Sequence, residues 1–220
     1  MKRGAEMKFD QKELDEILDA LELGDYNDLY DSVFYEQVIA PFKQKYKKPF
    51  YYDYGATKGV IVFKELGFVI KIPFGASSDD AFYGADCDNG WDYCRAEVNK
   101  YEFAYQNDLD QCFAETRLIA DIDGYPIYIQ EFATMFDKDN GASSNHTKDD
   151  MEKIEDLCED NNYDCFNTSW LSDVFNFFGE KVFYQLMNFI SDVDINDLHN
   201  GNIGYIGMRP VLVDYSSYND

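Results

Sequence analysis

Positive charge is scarce in this chain beside negative. Lys and Arg number 19 against 43 Asp and Glu in 220 residues, a formal charge of −24 at pH 7. An acidic surface repels a phosphodiester backbone, which weighs against direct binding of DNA or RNA. It favours solubility, or docking onto a basic partner. Long apolar runs are missing as well: nothing reaches the roughly 18 consecutive residues of a membrane-spanning helix. The opening segment, Met1 to Met7, leads into an acidic stretch and lacks the apolar centre of a secretory signal. Cysteine is sparse and unpatterned. The five at 87, 94, 112, 158 and 165 are odd in number and form no Cys-x-x-Cys. That argues against a disulfide framework or a zinc site, and for a reducing cytoplasm in which thiols serve as small core residues.

What is abundant is aromatic. Tyr and Phe number 18 each within an apolar fraction of 45%, enough to fill the core of one domain or a small two-lobed unit. Residues 10–31 carry nine acids and one lysine. Asp10 with Glu13 reads as a capping box, and Leu14, Ile17, Leu18 and Leu21 form one helical stripe that stops at Gly24. A second helix is expected over 29–43, with Val33, Phe34 and Val38 inward. Neither helix carries chemistry; both read as an N-terminal extension, 1–48, that packs on or hides part of the fold.

From Pro49 the pattern turns to short β-branched and aromatic runs at 50–54, 59–63 and 68–74, separated by Gly-containing turns. A polar loop (75–90) precedes a helix over 91–107, and two more strands follow at 118–121 and 125–132. Residues 137–164 hold ten acids and three lysines, read as a loop with one acidic helix over 148–160. One long amphipathic helix is expected over 169–192, with Leu171, Val174, Phe178, Val182, Leu186 and Phe189 inward. No internal repeat is visible.

That helix leads into Ile195-Asn-Asp-Leu-His-Asn-Gly-Asn-Ile203, followed by Val211-Leu-Val-Asp-Tyr215. Asp197 stands five residues before Asn202, and Asp214 ends a short apolar run. Two carboxylates and an amide on tight loops suit Mg²⁺-nucleotide chemistry, because Mg²⁺ takes one or two protein oxygens plus phosphate oxygens.

Five strands with one inserted helix, then a helical part whose long helix precedes an Asp-containing loop, resemble the protein-kinase-like superfamily. The likeness is nearer to its atypical and small-molecule-kinase branches, whose Asp-Leu-His-x-Gly-Asn form is matched, and it covers roughly 49–216. It implies an α+β, two-lobed fold: a five-stranded antiparallel N-lobe sheet with hinge (49–133) and a reduced helical C-lobe (134–220). It further implies Mg-ATP as the bound nucleotide and an acceptor hydroxyl on a protein or small molecule.

Residue by residue, Lys71 in Phe68-Val-Ile-Lys-Ile-Pro73 resembles the family's strand lysine, which contacts the α- and β-phosphates and a helix glutamate. A buried ammonium needs such a partner. Glu97 and Glu102 are the candidates for that glutamate. The resemblance implies an inward hydrophobe four residues after that glutamate, and Glu97 gives Tyr101 there whereas Glu102 gives Gln106, so Glu97 is preferred and Glu102 would be a surface carboxylate. Gly55 and Gly59 sit where the family's phosphate-covering loop lies, without its G-x-G-x-x-G spacing; a hairpin turn is the plainer reading. Gln130 resembles the gatekeeper, with main-chain groups of Glu131 and Ala133 facing the adenine. Asp197 would orient the acceptor hydroxyl or take its proton, Asn202 and Asp214 would hold Mg²⁺, and His199 would brace the loop.

Three positions depart from the family. Asn196 replaces the arginine that couples the catalytic loop to activation-segment phosphorylation. Tyr215-Ser216 stands for Phe-Gly. Only six residues follow Asp214, so the activation segment and later helices have no counterpart in this chain. Two readings follow: a minimal phosphotransferase, or a kinase-like pseudokinase whose acidic surface masks a basic or nucleic-acid-binding partner, as a phage-type inhibitor would. Nucleotidyl transfer by the same site is a third.

Overall fold

The computed structural model describes residues 7, 9–23, 29, 31–55, 57–74, 93–122, 124–136 and 146–216. The expected helix stop at Gly24, the loop 75–90, Trp91 and part of the 137–164 segment lie outside them. The fold is α+β. It divides into one compact unit built from Met1–Val98 and Glu115–Phe132, and another from Asn99–Ala114 and Ala133–Asn219. Among the described residues no helix is long and apolar enough to cross a membrane.

In the first unit, strands β1 (Tyr51–Tyr54), β2 (Lys58–Phe63), β3 (Phe68–Pro73), β4 (Thr116–Ile122) and β5 (Tyr125–Glu131) form an antiparallel sheet of order β1-β2-β3-β5-β4. The first helices cover one of its faces. Helix α1 (Gln11–Ala20) starts where Asp10 accepts from the amides of Lys12 and Glu13. Only that half of the capping box forms, because the Glu13 carboxylate is taken by Lys48 and by the Tyr46 hydroxyl. Leu14 and Ile17 face inward, and Leu21 stays buried although its backbone has already turned extended.

The second expected helix exists with a defect inside it. α2 (Asp31–Phe34) passes into a π-helical turn at Tyr35–Ile39 and then into α3 (Ala40–Lys45). Pro41 has no N–H to donate one turn back, so the preceding residues close a wider turn, with Ala40 N–H bonded to the Tyr35 carbonyl. Phe34, Val38 and Phe42 from this stretch share one core with Ile61, Phe63, Phe68, Ile70, Ile72, Ile127 and Ile129 of the sheet. Phe42 stacks on Tyr46 at 5.1 Å, and Tyr46 meets Phe63 edge-on at 5.6 Å. These helices are therefore core material of the unit.

Helix α4 (Tyr93–Gln106) carries Glu97 in the first unit and continues into the second. The second unit holds α5 (Lys148–Asn161), α6 (Thr168–Phe178), α7 (Glu180–Asp192) and a three-stranded sheet of β6 (Thr134–Met135), β7 (Ile203–Ile206) and β8 (Arg209–Leu212). Thr147 caps α5 in a complete box with Asp150. His146 beside it meets the Asp173 carboxylate on α6 at 2.9 Å, and Tyr205 OH donates to the same carboxylate at 2.6 Å.

The single helix expected over 169–192 is two. Gly179, at φ 86°, interrupts it, a conformation in which any Cβ is strained. The break re-phases the inward face. Phe178 and Val182 end half-buried while Phe183, Leu186, Met187 and Phe189 fill the core.

Candidate functional site

Period-two alternation, applied to the observed register, places the polar side chains. Lys71 pairs across the ladder with Val60 on one side and Tyr128 on the other; Val69 pairs with Gln130, and Gln130 with Thr116. Lys58, two residues before Val60, shares their face. Lys58, Lys71, Gln130 and Thr116 thus project from the side of the sheet opposite the aromatic core. Glu97 of α4 meets three of them there.

The geometry is close and dry. Lys71 Nζ donates to Glu97 Oε2 at 2.6 Å, and Lys58 Nζ donates to Glu97 Oε1 at 3.0 Å. Gln130 Nε2 donates to Glu97 Oε2 at 3.2 Å and to Thr116 Oγ1 at 2.6 Å, using both of its protons. Glu97 is 0% exposed, Lys71 4% and Lys58 6%. A buried carboxylate and ammonium lose several kcal/mol of hydration each, to order of magnitude, so ions this deep are held only by each other and by added hydrogen bonds. Glu102, on the same helix, is exposed.

Lys58 is the residue that sequence reasoning missed. It looked like the polar end of a Gly-flanked hairpin. The available signal was its even spacing from Val60 and, across the ladder, from Lys71, which needs the register to be known.

The two turn glycines separate. Gly55 N–H closes the hairpin onto the Lys58 carbonyl at 3.0 Å, and no atom would meet a Cβ there. At Gly59 a Cβ would lie 2.3 Å from the Phe34 ring. The close approach that requires glycine at 59 is therefore that of a core phenylalanine. Glu131 N–H is committed to the Glu115 carbonyl at 3.0 Å, and its carboxylate accepts from Glu115 N–H at 3.1 Å. Of its main-chain groups, the carbonyl is the one with acceptor chemistry for a ligand. Ala133 is buried with Ala114, Val211 and Val213 in the second unit.

In the second unit, Asn202 Nδ2 donates to the Asp197 carbonyl at 2.5 Å and lies 3.5 Å from Asp197 Oδ2. The amide nitrogen is thereby spent on the loop, and Oδ1 is the Asn202 side-chain atom with cation-ligand chemistry. The loop is wound tight by Gly201 N–H donating to His199 Nδ1 at 2.9 Å and Asn202 N–H donating to the His199 carbonyl at 2.8 Å. His199 Nε2 stands 3.8 Å from Asp197 Oδ1. A ring that holds a backbone amide in this way acts as a brace.

Val213 N–H donates to the Asn202 carbonyl at 3.0 Å, which ties the residue before Asp214 to the loop. Ser216 Oγ donates to Asp214 Oδ1 at 3.3 Å, while Tyr215, fully buried, donates to the Ala114 carbonyl at 2.8 Å. Lys100 from α4 fixes the following turn through the Ser216 carbonyl at 2.8 Å. Asp197, Asn202 and Asp214 supply hard oxygens on braced backbone, a donor set that fits Mg²⁺ held partly by phosphate. Among the described residues, no three or more His, Cys, Asp and Glu side chains gather as a metal cage.

Searches with the sequence match no protein-family model and no curated protein.

Proposed function

We propose that this protein is a Mg-ATP-dependent phosphotransferase of the protein-kinase-like, two-lobed type. The observation that carries the reading is the buried contact of Lys71 on β3 with Glu97 on α4, at 2.6 Å. A lysine held out of bulk water against a helix carboxylate is a fixed donor suited to phosphate oxygens. The pair also costs desolvation that an apolar pair would not, so a stability role alone gives it weak support. The braced Asp197–Asn202 loop and the neighbouring Asp214 add to it.

In this reading Lys71 fixes the α- and β-phosphates, Asn202 Oδ1 and the Asp214 carboxylate hold Mg²⁺, and Asp197 orients or deprotonates the acceptor hydroxyl. Mg²⁺, when bound, would neutralise charge on the phosphate oxygens. Such catalysis consists of positioning and charge stabilisation, so no covalent nucleophile is needed. The acceptor is a hydroxyl of a protein or a small molecule.

Two measurements test it. Mg-ATP should raise the melting temperature of the purified chain, and Asp214→Asn should weaken that binding by about tenfold or more, as loss of a charged ligand does. γ-labelled ATP with cell lysate should give a labelled product that Asp197→Ala abolishes; label persisting in that variant removes Asp197 from its role. A chain inert to Mg-ATP favours the second reading, an acidic kinase-like binding protein, for which the formal charge of −24 is the supporting observation. A basic partner captured at low salt and released as screening rises would then be expected.

A further inference from the structure

Glu97 has more than the one lysine its proposed role requires. We propose that Lys58 is a positioning residue of the same site: by occupying Glu97 Oε1 it orients the carboxylate so that Oε2 meets Lys71, and it thereby sets where the Lys71 ammonium lies. This rests on the phosphotransferase reading for its consequence in turnover, though not for its geometry.

The backbone fixes where Lys58 starts from. Its carbonyl accepts Gly55 N–H at 3.0 Å, closing the β1–β2 hairpin, and it lies opposite Pro73 in the ladder. Thr57, just before it, accepts Phe74 N–H at 2.8 Å. On the shared face its Cβ stands diagonally from that of Lys71, a separation of about 7–8 Å that two long stems close only by converging on something between them. The Glu97 carboxylate is that object. One oxygen takes each ammonium, at 3.0 and 2.6 Å, and Gln130 adds a third donor on the Lys71 side at 3.2 Å.

A carboxylate held by a single ammonium can rotate about its last side-chain bond and shift that ammonium with it. Held at both oxygens by separate ammonium groups, it loses that freedom. Lys58 is 6% exposed, so its ammonium is built into the cluster and is not a surface charge that happens to reach it.

The test uses the full chain, with Lys58→Met, Lys58→Arg and Lys71→Met variants and ¹⁵N-labelled lysine. In the nucleotide-free protein, the Lys71 Nζ resonance, assigned as the one lost in Lys71→Met, should move in Lys58→Met and return toward its wild-type position in Lys58→Arg. An unmoved resonance overturns the proposal. With Mg-ATP, Lys58→Met should lower the turnover number about tenfold or more, as a misplaced phosphate-binding group does, with recovery in Lys58→Arg. Turnover per folded molecule equal to wild type in Lys58→Met also overturns it. If wild type itself neither binds nor turns over Mg-ATP while the resonance moves as expected, the phosphotransferase reading fails and the positioning of Lys71 by Lys58 stands.

Discussion

The two faces of the central strands β2, β3 and β5 are both largely buried, and they are buried by opposite chemistry. One face presents Ile61, Phe63, Phe68, Ile70 and Ile72 to helices α1–α3 and needs only shape to be stable. The other presents Lys58, Lys71 and Gln130 to Glu97, with Thr116 accepting from Gln130, and needs each charge answered. The apolar face tolerates loss of a contact in proportion to the area lost. The polar face does not degrade in proportion, because removing one partner strands another in a medium that cannot hydrate it. The comparison separates a surface that holds the fold by shape from one whose ions must answer one another, the feature on which the proposed function rests.

The largest break is expected at the polar face. Glu97→Gln leaves two buried ammonium groups without their carboxylate and should cost about 3–5 kcal/mol in urea unfolding. Replacing the whole set, Lys58→Met with Lys71→Met and Glu97→Leu, should recover most of that loss and abolish any Mg-ATP response. A triple variant no more stable than Glu97→Gln would mean that the cluster is structural.

The next break is at the apolar face. Gly59→Ala places a methyl 2.3 Å from the Phe34 ring and should cost about 1–3 kcal/mol by overpacking. The cost should shrink when Phe34 is also truncated to Ala, because the two sites then couple in a double-mutant cycle. Additive costs would show that Phe34 is not what excludes a side chain at 59.

The smallest effect is electrostatic and lies at the edge of the apolar face. Burial, and then its hydrogen bond to Glu13, push the Tyr46 hydroxyl well above the ordinary tyrosine range. A raised folded-state pKa gives stability that is complete below about pH 10 and is lost as pH rises past that unfolded-state value. Tyr46→Phe should therefore flatten the alkaline decline of the melting temperature while leaving the decline's acid side largely in place. An identical alkaline slope in the variant would assign the decline elsewhere.

Much of the fold was legible because its signals are local. The five strands, the Asp10 cap and the acidic helix expected over 148–160 follow from alternation, capping residues and turn glycines within a few positions of one another. Two helical errors came from local signals that compete. The helix expected over 29–43 runs through Pro41, whose missing N–H accompanies the π turn before it. Gly179 was absorbed into a long amphipathic stripe, although the stripe changes phase there. Of the candidate site, Lys71 and Glu97 are singled out by the resemblance to the kinase-like pattern, and the structure brings them into contact. Lys58 was invisible, since nothing within its own strand distinguishes a lysine aimed at a carboxylate from one ending a turn.

By itself the sequence determined most of which segments are helix and which are strand, and that Asp197 and Asn202 come just before, and Asp214 just after, one strand–turn–strand. These depend on spacing along the chain, which any reader of the chain can measure. Only the tertiary structure decided that two lysines and a glutamine close on one carboxylate, that glycine at 59 answers to Phe34, and that the first helices belong to the core. Those facts depend on register and on which face is buried, and both are fixed when distant segments meet and water leaves between them.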